Sequence, residues 1–370
     1  MEIRKIELIH VQIPMAGPFR ISSGTLYHRD SIIVKVYAGD LVGYGESAPM
    51  PGPFYSAETT ETAWHILADF IAPIILQRKW NHPEEIFPAL AGIRGNNFAK
   101  AGIETAFWDL YARKTNQSLA GLLGCQNKAV NSGVALGVFP TTEELVEQAR
   151  AHLAEGYQRI KIKIQPGWDV EPVRALREAL GDVPLFVDAN SAYTLADLPI
   201  FQELDKYDLM MFEQPLTHDD LVDHAQLQSQ VRTPVCLDES IHSLDAARQA
   251  IDLGSARIIN IKIQRVGGIG PAKAIHDYCA QRGIPVWCGT MPESGLGQSQ
   301  GLALAGLPNF RYPTDIEPSS RFFVEDIVNP PLIMSKEGTI PIPQGIGTGV
   351  EIRDDLIKAW TVKERTITAE

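Results

Sequence analysis

The sequence predicts an α/β protein, a parallel-stranded (β/α) barrel preceded by a smaller α+β unit. Three observations predict it. From Val130 onward, short apolar runs alternate with amphipathic helical segments, and eight such runs can be counted before residue 316. Five charged residues recur at the ends of consecutive runs at a nearly constant interval. No run is followed by GxGxxG or GxxxxGK[ST], the phosphate-cradling turns expected of an open doubly wound sheet.

The elements follow in order. "RKIELIHVQIPM" (4–15) alternates as a strand, and "SIIVKVYAGDLVGYGESAP" (31–49) reads as two strands about an Ala38-Gly39-Asp40 turn. Between them, "AGPFRISSGTLYHRD" (16–30) is expected to be a mobile loop, and "PMPGPFYSAET" (49–59) is a second loop. In "AKAGIETAFWDLYARKTNQ" (99–117), Ile103, Ala106, Phe107, Leu110 and Tyr111 fall at helical spacing. The eight barrel runs are "VNSGVALG", "RIKIKI", "PLFVDAN", "LMMFEQP", "PVCLDES", "IINIKI", "PVWCGT" and "FRYPTD", the first seven each followed by a helical pattern such as "TEELVEQARAHLAEG". The Pro- and Gly-rich tail "PPLIMSKEGTIPIPQGIGTGVEI" (330–352) predicts short strands returning to the N-terminal unit. The expected divisions are 1–125, 126–320 and 321–370.

Composition narrows the function. The 370 residues are 45% hydrophobic and 21% charged, an ordinary globular balance. The net charge of −12 argues against nucleic acid and anionic membranes as partners. The four cysteines form no CxxC pair, which favours reduced thiols in a cytoplasmic protein. The N-terminus lacks the apolar run of a signal peptide, and no window approaches the length of a membrane span.

The chemistry lies in the register. Lys163, Asp188, Glu213, Asp238 and Lys262 are separated by steps of 25, 25, 25 and 24 residues, one βα unit each. That spacing puts the five side chains at similar height around the C-terminal mouth of a barrel. Singly, each acid would read as a strand-end cap, and Lys161-x-Lys163 as a solvated edge strand. In register, Asp188, Glu213 and Asp238 converge, and bare they would raise one another's pKa. A hard divalent cation resolves the repulsion, and an all-oxygen set suits Mg²⁺, for which Mn²⁺ can substitute. Lys161 and Lys163 flank that position from one side and Lys262 from the other. Mutual repulsion and burial are expected to push the paired lysines towards neutrality, so that Lys163 can act as a general base. A base on each side of a carbon, beside a metal, fits proton abstraction α to a carboxylate, a pairing already described for enolase-type sites.

The motifs "KIK" (161–163), "VDAN" (187–190), "FEQP" (212–215), "LDES" (237–240), "NIKIQRVGGI" (260–269), "GTMPESGLG" (289–297) and "DIEPSSRFFVEDIV" (315–328) carry a resemblance over nearly the whole chain. They resemble the enolase superfamily, muconate lactonizing enzyme subgroup, in its o-succinylbenzoate synthase and N-acylamino acid racemase branch. The resemblance implies a TIM-type (β/α)7β barrel under an N-terminal α+β capping domain. It implies Mg²⁺ on Asp188, Glu213 and Asp238, opposed bases Lys163 and Lys262, and Lys161 tuning Lys163 and contacting a bound carboxylate. Asn190 and Glu239 would stand behind the metal ligands, and Arg265 would influence Lys262. Tyr55 and Glu293 would approach the substrate, with loops 16–25 and 50–55 closing over the mouth. The implied activity is either dehydration of 2-succinyl-6-hydroxy-2,4-cyclohexadiene-1-carboxylate, in menaquinone synthesis, or racemisation of an N-succinylamino acid. A small carboxylate substrate and a homo-oligomer are expected. Pro292 departs from the pattern of the eighth loop. The Asp-x-Asp of dipeptide epimerases is missing after the seventh strand, and muconate cycloisomerase is disfavoured by "PSSRFFVEDI".

Overall fold

A computed structural model describes residues 1–21 and 24–369. Its N-terminal unit is a four-stranded antiparallel sheet. Strand Lys5–Ile21 pairs on one side with Gly24–Ala38, which in turn pairs with Leu41–Ser47, and on the other side with the last strand, Thr361–Thr368. The strand that returns to the first sheet thus lies beyond the Pro- and Gly-rich stretch expected to do so, whose own short strands pair elsewhere, Thr339–Pro341 with Ala129–Asn131 and Glu351–Ile352 with Val328–Asn329.

The 16–30 segment is not the loop expected. Both strands of the hairpin run on through it, with Phe19 opposite Leu26 and Ile21 opposite Gly24, after an irregularity between Pro14 and Phe19. Period-two alternation is broken there by Ala16-Gly17-Pro18, and that hid the strand from a pattern reading. Ser22 and Ser23 lie outside the described residues.

One long helix, Asn97–Lys114, packs across this sheet and is buried along most of its length. Its approach is close because Gly43 and Gly45 face it. A Cβ on Gly45 would lie 2.2 Å from the Gly102 carbonyl, so only glycine fits. Its N-terminus is capped from outside, since the Glu58 carboxylate accepts from the amides of Phe98 and Ala99 at 3.1 and 3.2 Å.

The barrel strands are Val134–Leu136, Ile160–Lys163, Leu185–Asp188, Phe212–Glu213, Val235–Leu237, Ile258–Ile261 and Val286–Cys288, parallel and paired in chain order. The eighth run is too irregular to form a strand. It closes the ring through isolated parallel bridges, Phe310 to Val286 on one side and Thr314 to Ser132 on the other. Seven strands plus a closing segment match the (β/α)7β expectation.

Period two sorts each strand. Ile160 and Ile162 face outward and join the apolar layer against the surrounding helices, with Leu145, Val173 and Leu176. The inward positions lower in the barrel form a separate apolar plug of Phe186, Met211, Cys236, Ile258 and Trp287. Two residues further along these strands stand Asp188, Glu213, Asp238, Asn260 and Gly289. An apolar floor thus carries a polar storey. Among the described residues no helix is long and apolar enough to cross a membrane, and all four cysteines are free thiols.

Candidate active site

The inward face of the second strand answers why a buried strand should carry "RIKIK". Arg159 and Lys161 are buried and Lys163 is half-buried, so three cations climb one side of the barrel interior. Each meets carboxylate. Lys163 Nζ donates to Asp188 Oδ2 at 2.6 Å and also to Asn190 Oδ1. Lys161 Nζ lies 2.9 Å from Asp188 Oδ2, 2.7 Å from Glu213 Oε2 and 3.2 Å from Asp315 Oδ2. Arg159 donates to Asp315 Oδ1 at 2.7 Å.

Lys262 stands opposite, just past the sixth strand. Its Nζ lies 2.8 Å from Asp238 Oδ2 and donates to the Tyr55 hydroxyl at 3.1 Å. That hydroxyl in turn donates to Asp238 Oδ1 at 3.2 Å, so loop 49–59 reaches the mouth through Tyr55. Arg265 also pairs with Asp238 Oδ1, and its Nε is fixed by the Ile241 carbonyl at 2.7 Å. Asn190 donates to Glu239 Oε1 at 2.8 Å, which joins the two sides. Glu293 folds back on its own loop and accepts from the Met291 amide at 2.9 Å.

Electrostatics correct one expectation. Burial would lower the pKa of Lys161, but attraction to Asp188, Asp315 and Glu213 outweighs it and raises the value. Lys262 is likewise raised, burial being overcome by Tyr55, Glu239 and Glu213. Neighbouring cations alone would lower these values; the carboxylates between them reverse the direction. Asp188 is held low: burial opposes its charge, and Lys161 and Lys163 prevail. Glu213 is raised by burial and by the nearby charge of Asp188.

Among the described residues, no three acidic, histidine or cysteine side chains are already gathered into a metal-sized cluster. The positive charge between the acids comes from ammonium groups. Yet three buried carboxylate oxygens, Glu213 Oε2, Asp238 Oδ2 and Glu239 Oε2, have no hydrogen-bond donor. The close approaches of Lys161 and Lys262 to the first two are ion pairs without hydrogen-bond geometry. Undonated buried anions are costly, and a hard cation satisfies them without needing an N–H direction. Oxygens of this kind suit a hard divalent cation.

Sequence reasoning missed Arg159, Asn260 and Asp315. Asn260 donates to Glu213 Oε1 at 2.9 Å and accepts from the Gly289 amide. Arg159 and Asn260 sit two residues before a candidate site lysine or pair of lysines, on the same strand face, so strand parity could have found them. Asp315 ends the eighth run, where no 25-residue step points to it.

Comparison with known proteins agrees with this architecture. Residues 144–356 match the enolase C-terminal domain-like family, and residues 3–124 match the mandelate racemase/muconate lactonizing enzyme N-terminal domain. The chain is 46% identical to an o-succinylbenzoate synthase of Geobacillus kaustophilus, covering 100% of both chains. It is 43% identical to an N-succinylamino acid racemase of an Amycolatopsis species, over 97% of this chain and 99% of the relative. A crystal structure of an enolase superfamily member from Listeria innocua superimposes with a TM-score of 0.97 at 39% identity, covering 100% of both chains. The chain belongs to the enolase superfamily, as an enzyme of its mandelate racemase/muconate lactonizing enzyme family.

Proposed function

We propose that the chain is a divalent-metal-dependent o-succinylbenzoate synthase that removes a proton α to a carboxylate. The observation that carries this reading is the opposition of Lys163 and Lys262 across a set of buried carboxylates whose free oxygens lack donors. Asp188, Glu213 and Asp238 would hold Mg²⁺. When bound, the cation supplies charge to offset the negative charge that grows on the substrate carboxylate as its α-proton leaves.

The chain's own residues do the rest. Lys163, tied to Asp188 and Asn190, takes the proton and returns it on the same face to the departing hydroxyl, which leaves as water. Lys262, held by Asp238 and Tyr55, stabilises the anion from the opposite face. Lys161 contributes a fixed positive charge beside the carboxylate. Asp188, Glu213, Asp238, Glu239 and Asp315 stand against Arg159, Lys161, Lys163, Lys262 and Arg265, five acids against five cations. With Lys163 a neutral amine, as a base must be, a divalent cation leaves the site one positive charge in excess, which favours a substrate bearing carboxylates. The succinylated cyclohexadiene acid carries two.

N-Succinylamino acids also carry two, and the opposed lysines supply the second base that racemisation needs. Identities of 46% and 43% to relatives of the two names do not separate these readings. The separating experiment measures kcat/KM with Mg²⁺ for o-succinylbenzoate formation and for racemisation of N-succinylphenylalanine. Efficient synthesis with weak racemisation supports the synthase. Comparable or better racemisation overturns it in favour of the racemase or a bifunctional enzyme.

A further inference from the structure

The Lys161 ammonium occupies two of the carboxylates that a metal would need. Its nitrogen lies 2.9 Å from Asp188 Oδ2 and 2.7 Å from Glu213 Oε2. A divalent cation entering that position meets an ammonium at contact distance, and like charges this close in a buried site repel strongly. The lysine cannot retreat into water, since Lys161 is only 3% exposed. Among the described residues it has one other carboxylate within ion-pair distance, Asp315, whose Oδ2 lies at 3.2 Å.

Asp315 is itself anchored. Its Oδ1 accepts from Arg159 Nη2 at 2.7 Å. The same guanidinium donates to the carbonyls of Thr314 at 3.0 Å, Pro313 at 3.1 Å and Val134 at 3.3 Å, and lies over the rings of Phe186 and Trp287. Arg159 and Asp315 are thus a braced pair on the barrel floor, with one carboxylate oxygen turned to Lys161.

We propose that Asp315 is a positioning residue for metal uptake: it takes over the Lys161 ammonium when a divalent cation occupies Asp188 and Glu213. Arg159 keeps its carboxylate in place for that exchange. No bond forms or breaks and no proton moves, because Lys161 stays an ammonium throughout. The proposal rests on the metal-binding reading above.

The test titrates Mn²⁺ into the full-length protein and follows free Mn²⁺ by electron paramagnetic resonance, with calorimetry as a second readout. Asp315→Asn is expected to weaken Mn²⁺ binding about tenfold or more, since Lys161 then has only the metal ligands to pair with. Asp315→Glu is expected to recover part of the loss. In a Lys161→Met background nothing competes with the cation, and adding Asp315→Asn should change Kd by less than about twofold. Unchanged affinity in Asp315→Asn overturns the proposal. So does a loss of the same size with and without Lys161, which is what a purely structural role would give. If Asp315→Asn does not fold, Arg159→Met/Asp315→Asn removes the buried pair together. It carries the same expectation, and wild-type affinity in that variant overturns the proposal equally. Failure of the wild-type protein to bind Mn²⁺ would instead remove the metal reading itself.

Discussion

Two regions of this molecule bury carboxylates, and they do so in opposite ways. At the seam between the N-terminal sheet and the barrel, Glu46 accepts from the hydroxyls of Ser31 and Ser294 and from the amides of Ser294 and Gly297. Glu104 accepts from the amides of Ile269 and Gly270 and from the Trp108 indole, at 2.7 to 2.8 Å. Both carboxylates cap N-termini of barrel helices, Gly295–Ala305 and Ile269–Gln281, where free amides and the helix dipole favour negative charge. At the barrel mouth the acids face cations: Lys161 and Lys262 approach Glu213 Oε2 and Asp238 Oδ2 at 2.7 and 2.8 Å without hydrogen-bond alignment, and Glu239 Oε2 has no donor. Buried charge by itself therefore does not mark function. Buried charge with its donors withheld does, because such a site costs stability unless a ligand completes it.

The sharpest way to break this comparison is at Lys163. Lys163→Ala should lower kcat by about 10³-fold or more, the scale of a lost general base, with circular dichroism and Tm unchanged. A folded variant with ordinary turnover would remove the distinction between the regions. Lys262→Arg keeps the charge but cannot act as a base, because a guanidinium does not deprotonate. It should suppress α-proton exchange from one enantiomer of N-succinylphenylalanine by about 10²-fold and spare the other, the base on the far face being intact. At the seam the response should be in stability. Glu46→Ala strands several donors at once and should cost about 3 kcal/mol in chemical denaturation, while the folded protein keeps a kcat within a few-fold of wild type. A stable but inactive Glu46→Ala would place the seam in the chemistry.

The smallest effect concerns pH. Burial pushes the Glu104 carboxyl up to about 7 from 4.5, against the pull of its three donors. Between those values the native state holds a proton that the unfolded chain has released. Stability from this group is therefore full below pH 4.5 and falls as pH rises towards 7, by roughly 3 kcal/mol at most. Glu104→Gln should flatten that slope in denaturation curves taken from pH 5 to 7.5; an unchanged slope would assign it to other groups.

The legible part of this protein was its periodicity. A step of 25 residues locates Lys163, Asp188, Glu213 and Asp238 on successive strands, because one βα unit has a nearly fixed length. Period two told which face of Ile160–Lys163 carried charge. What periodicity cannot reach is pairing across the barrel. Nothing local links Asp315 to Arg159 or Tyr55 to Lys262, which lie 156 and 207 residues apart. The balance of charge at Lys161 depends on such distant partners, and so the sequence alone inverted the direction of its pKa. The hairpin through 16–21 was lost for the opposite reason, a local composition that breaks alternation while the strand continues.

The central claim is that Lys163 and Lys262 work on opposite faces of one carbon acid. The most direct measurement follows α-proton exchange of each enantiomer of N-succinylphenylalanine in D₂O, by NMR, with Mg²⁺ and wild-type, Lys163→Ala or Lys262→Ala protein. The account predicts that the wild type exchanges both enantiomers and that each variant loses a different one. Exchange of both enantiomers at the wild-type rate by either folded variant would contradict it.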